Sequence, residues 1–114
     1  MKFTTSLKKN HEFKRLYSKG KSAASQYVVV YCRRNGKAEN RFGVTVSTKI
    51  GGAVQRNRIR RRLKEIYRLH EHKLRAGYDI VIVARVRSRT APYRELEHSV
   101  LVLFNKLGLD GDIK

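Results

Sequence analysis

A chain of 114 residues with 40% hydrophobic content is of single-domain size and holds enough apolar residues for a modest core, which excludes a disordered basic tail. A formal net charge of +18 favours nucleic acid, and less strongly an anionic membrane surface, as the partner. Cys32 is the only cysteine, so an internal disulfide and a multi-cysteine metal site are both excluded; the absence of a signal-peptide core and of any run near the roughly 18 apolar residues of a membrane span reads as an intracellular, soluble protein.

Residues 1–8 are polar and read as loosely ordered. Asn10 is placed to cap a helix over 11–18, with Gly20 near its end. Phe13, Leu16 and Tyr17 share one face of it, at the i, i+3, i+4 spacing, and Lys14 and Arg15 lie off that face. Leu16 reads as core; Phe13 and Tyr17 stay open between core and an exposed stacking platform. Gly20, Lys21 and Ser22 read as a turn. The stretch 26–33 is dense in β-branched and aromatic residues and reads as a strand. Tyr27, Val29 and Tyr31 point to one side and Val28, Val30 and Cys32 to the other, so each face is covered by something. Cys32 reads as a small core residue. Asn35-Gly36 opens a hairpin loop into a second strand over about 41–47. Its face of Gly43, Thr45 and Ser47 is small and polar, open to close approach by a nucleic acid strand or a packed side chain.

Lys49, Gly51 and Gly52 lie in the connection to a long helix over 54–74. The spacing is not that of a phosphate loop, but backbone N–H groups at a helix start hold phosphate favourably. Six of the nine residues from Arg56 to Lys64 are Lys or Arg. At about 100° per residue, Ile59, Leu63, Ile66, Tyr67, His70 and Leu74 fall on one face. Asn57, Arg61, Lys64 and Arg68 form a stripe nearly opposite, flanked by Arg58 and Arg60. No acid stands between Arg41 and Lys64 to neutralise the run, which favours a polyanion-facing side over a merely solvated one. A third strand follows over 78–86. Thr90 then caps a last helix, with Pro92 in its first turn and a core stripe of Tyr93, Leu96, Val100, Leu103, Phe104 and Leu107 closed by Gly108.

The predicted order helix-strand-strand-helix-strand-helix makes a small α+β two-layer sandwich, a single domain over 1–114, which the resemblance described below makes one RNA-binding domain with an ordered core of about 8–107. No catalytic residue and no metal ligand is predicted. His70 and His72 point apart on their helix, His11 and His98 stand alone, Glu95 and Glu97 diverge, and Cys32 has no base partner. A nuclease holding its own metals would cluster carboxylates in a cleft.

One string narrows the class. Arg56-Asn57-Arg58-Ile59-Arg60-Arg61, preceded by Gly43-Val44-Thr45-Val46-Ser47 and Lys49-Ile50-Gly51-Gly52-Ala53-Val54, resembles the protein subunit family of bacterial ribonuclease P. Phe13 through Tyr17 and Gly20-Lys21-Ser22 match its start. The resemblance implies a ribosomal protein S5 domain 2-like fold with a left-handed βαβ crossover, against the right-handed one that general rules favour. It implies a ribonucleoprotein endonuclease that removes the 5′ leader of precursor tRNA, with catalysis by a large RNA using Mg2+ and none by the protein. The implied partners are the ribonuclease P RNA, in a 1:1 complex, and precursor tRNA, with no membrane, in the cytoplasm. By position, Arg56, Asn57, Arg58, Arg60, Arg61, Lys64 and Arg68 match the RNA-subunit-binding helix. Phe13, Tyr17, Val29, Tyr31 and Lys49 match the leader-binding cleft. Thr48 stands where many relatives have a second lysine. Arg62, often apolar in relatives, would extend the basic surface.

The alternative is a ribosomal or other structural RNA-binding protein. A DNA-binding repressor fits less well, because two strands and a loop, not a helix, precede the basic helix.

Overall fold

The structure, a computed structural model, describes residues 4–110. A five-stranded sheet is built from β1 (Thr4–Ser6), β2 (Lys21–Ala24), β3 (Val28–Arg34), β4 (Asn40–Thr45) and β5 (Tyr78–Ala84), in the spatial order β1-β4-β5-β3-β2. The helices are α1 (Asn10–Lys19), α2 (Ala53–His70) and α3 (Tyr93–Lys106), with 3-10 turns at Thr48–Ile50, Glu71–Lys73 and Val86–Thr90. β4 and β5 are parallel and joined across α2, and β5 runs antiparallel to β3.

The two strands flanking Asn35-Gly36 are therefore not a hairpin. Gly36 does make its turn at φ 73°, but β5 inserts between β3 and β4. The reason is burial: Ile80, Val81 and Ile82 are fully buried, and a strand apolar on both faces belongs in the middle of a sheet. Two further strands correct the predicted order. Thr4–Ser6, expected to be loose, pairs parallel with β4, and Leu7 is buried directly after it. Lys21–Ala24, expected to begin in a turn, pairs antiparallel with β3. Both are short, polar edge strands whose order comes from the neighbour they pair with.

Helix boundaries shift as well. Lys9, not Asn10, is the N-cap of α1, and the Glu12 carboxylate reaches back to the Lys9 N–H at 3.3 Å. Pro92, not Thr90, is the N-cap of α3; Thr90 lies in the preceding 3-10 turn. α2 ends at His70, so Leu74 reaches the core from beyond a 3-10 turn.

Strand alternation sorts the sheet into two unequal faces. One carries Val28, Val30, Cys32, Phe42, Ile80 and Ile82 against Ile59, Leu63, Ile66 and Tyr67 of α2 and Leu96, Val100, Leu103 and Phe104 of α3. Phe42 stacks on Tyr67 with ring centroids 3.9 Å apart at 11°. The opposite face has a small cluster, Leu7, Leu16 and Val81, with Phe13, Tyr31 and Val83 at its margin, and α1 as its cover. Tyr27 departs from its predicted face: it precedes β3, and its hydroxyl donates to Glu95 of α3 at 2.6 Å.

Candidate nucleic-acid interface

α2 turns its basic stripe outward because its apolar residues at the 3.6 period are consumed by the core. Asn57, Arg58, Arg61, Lys64 and Arg68 are exposed, whereas Arg56 and Arg60 are half-buried. Val54, Asn57, Arg60, Arg61 and Lys64 line a shallow recess of about 460 Å³. Within it Arg60 Nη1 donates to Asn57 Oδ1 at 2.9 Å, which fixes both side chains. Val54, at the start of the helix, is 83% exposed. Arg68 differs from the rest of the stripe. It donates two hydrogen bonds, at 3.0 and 2.6 Å, to the Glu65 carboxylate, so its charge is locally matched. That pairing holds the Glu65 carboxyl below its ordinary value. Arg62 does not extend the stripe as expected. It is half-buried, and its guanidinium donates to the Ala91 carbonyl at 2.9 Å.

On the other face, α1 packs against the sheet. Phe13 lies over Gly43, where an added Cβ would come within 2.8 Å of its ring; glycine there lets the ring approach the backbone. Phe13 is half-buried beside the Leu7–Leu16–Val81 cluster, whereas Tyr17 is 39% exposed. The two aromatics left open by the sequence thus resolve differently, Phe13 at the margin of the small core and Tyr17 as an exposed ring. Tyr17 meets Tyr31 edge to face at 5.0 Å, and its hydroxyl shares a 2.9 Å hydrogen bond with Thr45 Oγ1. Thr45, Val83 and Val29 form one row across β4, β5 and β3, all half-exposed. Lys49 is exposed in the 3-10 turn Thr48–Ile50 that follows β4.

Sequence reasoning missed the cations after β5. Arg85, Arg87 and Arg89 are exposed in and beside the 3-10 turn Val86–Thr90. Arg85 donates to the Ser25 carbonyl and Arg87 to Gln26 Oε1, at 2.9 and 2.8 Å. Neutral acceptors orient these guanidiniums without cancelling their charge. Alternating arginines directly after a buried strand were the available signal. Three exposed arginines thus follow the central strand β5, and positive charge of this kind suits a phosphate backbone.

Among the described residues no group of three His, Cys, Asp or Glu is placed to hold a metal ion. His70 is committed to Glu97 of α3 at 2.8 Å, across the helix layer. No helix of the described residues is long and apolar enough to cross a membrane.

The profile of the family described as Ribonuclease P matches residues 1–108. The chain is 43% identical over 109 residues to the ribonuclease P protein component of Alkaliphilus oremlandii, covering 96% of each. It is 47% identical over 105 residues to that of Caldanaerobacter subterraneus subsp. tengcongensis, covering 92% of this chain and 90% of that one. Its fold is similar to the solved structure of the Staphylococcus aureus RNase P protein, with a TM-score of 0.85 at 31% identity, covering 93% of this chain and 97% of that one.

Proposed function

The chain belongs to the ribonuclease P protein family, as a protein subunit of an endoribonuclease that works with a ribonuclease P RNA, and we propose that it holds two different RNAs on its two faces. The outer stripe of α2 (Arg56, Asn57, Arg58, Arg60, Arg61, Lys64, Arg68) docks on the folded RNA subunit, read by shape and phosphate. The cleft of Phe13, Tyr17, Val29 and Tyr31, with Lys49 at its end, takes the unpaired 5′ leader of precursor tRNA. Aromatic rings there stack on bases without demanding a sequence, at about 1–3 kcal/mol per base. Arg85 and Arg87 extend the cationic path for the leader's phosphates. One protein per RNA, in the cytoplasm, completes the reading.

In this reading the chemistry is the RNA's. Mg2+ would be held by RNA oxygens, because the described residues bring no carboxylate cluster together and so do not fit a resident metal. What this chain does is bind, orient and screen charge. The observation that carries the proposal is the separation of the two surfaces: a basic helix on one layer, and an exposed tyrosine over a half-open row of strand residues on the other. A ribosomal or other structural RNA-binding protein needs only the first.

The test is reconstitution: cleavage of precursor tRNA by a bacterial ribonuclease P RNA at low Mg2+, with and without this protein. Stimulation, with tighter binding of precursor than of mature tRNA, is the expected result. Absence of stimulation overturns the proposal.

A further inference from the structure

α1 is one wall of the cleft, yet little apolar surface holds it there. Leu16 is its only fully buried side chain. Its second anchor is polar. Arg41, on β4, donates from Nε and Nη2 to the two Asp79 oxygens at 2.8 and 2.7 Å, across the β4–β5 register. Its Nη1 donates to Glu12 Oε2 on α1. The other Glu12 oxygen accepts from the Lys9 N–H at the start of the same helix. All three Arg41 nitrogens are thereby spent on carboxylates. The three side chains are 22%, 18% and 13% exposed for Arg41, Glu12 and Asp79, so water competes weakly for them. Asn35 Nδ2 adds a further bond to Asp79 at 3.0 Å. Arg15 and Arg33 line the same recess, of about 210 Å³, without a carboxylate partner among the described residues.

We propose that Glu12, Arg41 and Asp79 form a bracket that fixes the N-terminal half of α1 over the sheet and so sets the shape of the leader cleft, with Arg41 a positioning residue and not an RNA contact. The inference rests on the reading of that cleft as the leader site. A guanidinium forked between two carboxylates is a rigid, directional joint that an ammonium cannot reproduce. It ties β4, β5 and α1 at one point. Phe13 follows Glu12 directly, and Tyr17 lies just over one turn further on, so a shift at Glu12 is carried to both rings. At the far end the Tyr17–Thr45 hydrogen bond makes the second tether. A basic residue beside an RNA cleft would ordinarily be counted as a phosphate contact. The two roles give opposite signs when Glu12 is neutralised.

The experiment uses the reconstituted holoenzyme and compares Kd for precursor tRNA with a leader, for mature tRNA, and for the RNA subunit. If Arg41 met phosphate, Glu12→Gln would release it and raise the net charge, and leader binding would tighten. The bracket predicts weakening of about tenfold, the order of the charge assistance that the Arg41–Glu12 hydrogen bond loses when the carboxylate becomes a neutral amide. Mature tRNA and RNA-subunit affinities should stay within about twofold, because the α2 face is untouched. Arg41→Lys should lose nearly as much leader affinity as Arg41→Met, with the salt slope of leader binding unchanged in both. The retained RNA-subunit affinity of each variant reports that it is folded. Tyr17→Ala runs in parallel as a test of the cleft. If it weakens leader binding while Glu12→Gln strengthens it or leaves it alone, the bracket is overturned and the cleft stands. If neither changes leader binding, the cleft reading falls and the bracket's role falls with it.

Discussion

The two helices that carry the proposed RNA contacts are seated in opposite ways. α2 buries Ile59, Leu63, Ile66 and Tyr67, each no more than 2% exposed, in the main core. α1 fully buries Leu16 alone and is otherwise held by an ion-pair joint, a tyrosine hydroxyl and a half-buried ring. The difference would suit the tasks proposed for them. A helix docking on a large folded RNA must present many cations in fixed register, and a deep apolar anchor supplies that rigidity. A cleft wall that receives leaders of varied sequence needs defined aromatic faces, but its helix can be held by a few polar points. Damage to the α2 anchor should therefore be global. Damage to α1 should be local.

The largest expected effect comes from attacking that anchor. Leu63→Ala removes a side chain of 0% exposure from the centre of the α2 interface and should cost about 2–5 kcal/mol of stability. Urea unfolding measures it, and leader and RNA-subunit binding should fail together as the protein unfolds. A loss below about 1 kcal/mol would mean that α2 is not held by its inner face.

Next in size is the outer stripe. Replacing Arg61 and Lys64 by Ala should weaken binding to the RNA subunit by about 3 kcal/mol, taking about 1.5 kcal/mol per charge-assisted contact. Each phosphate contact removed should flatten the slope of log K against log salt by about one unit. Discrimination between precursor and mature tRNA should persist. If it disappears while subunit binding is kept, the two surfaces have been assigned the wrong way round.

Tyr17→Ala should be milder and should invert the pattern. It removes one stacking face, so leader-bearing substrate should bind more weakly by about 1–3 kcal/mol while RNA-subunit affinity holds. Tyr17→Phe keeps the ring and loses only the Thr45 hydrogen bond, which should cost about 1 kcal/mol or less. Equal effects of the two substitutions would place the hydroxyl, not the ring, at the centre of recognition.

How much of this was legible in the sequence follows the range of the interactions. α2 could be read because its apolar period and its charge run occupy the same residues. The alternation of β3 correctly set Val29 and Tyr31 apart from Val28, Val30 and Cys32. The proposed leader site was not legible in the residue pattern, because its row of Thr45, Val83 and Val29 exists only once β5 inserts between β3 and β4. A local Asn-Gly turn signal cannot report that. β1 and β2 lacked alternation, since short polar edge strands borrow their order from a partner. The joint of Glu12, Arg41 and Asp79 links positions 29 and 38 residues apart, beyond any periodicity argument. Arg85 and Arg87 read as a strand end and its exit; their alternation with Arg89 was a signal, and their exposure and neutral acceptors show that their charge is not cancelled there.

The smallest predicted effect probes the one member of the α2 stripe that the structure sets apart. Arg68 is matched by Glu65 three residues earlier, on an exposed part of the helix. Water and salt screen such a pair, so its loss should barely alter stability. Its loss should alter binding, because Glu65→Gln removes an acid from a surface proposed to meet phosphate and frees the Arg68 guanidinium. Affinity for the RNA subunit should rise, by less than about threefold given the weak coupling of exposed pairs. Acid should act in the same direction. The Arg68 hydrogen bonds hold the Glu65 carboxyl below its ordinary 4.5, so the pair is present above that pH and is lost only as pH falls through the lowered value. At neutral pH the gain must therefore come from the substitution alone. An unchanged affinity in Glu65→Gln together with an unchanged affinity in Arg68→Ala would remove Arg68 from the interface and end the RNA-facing stripe at Lys64.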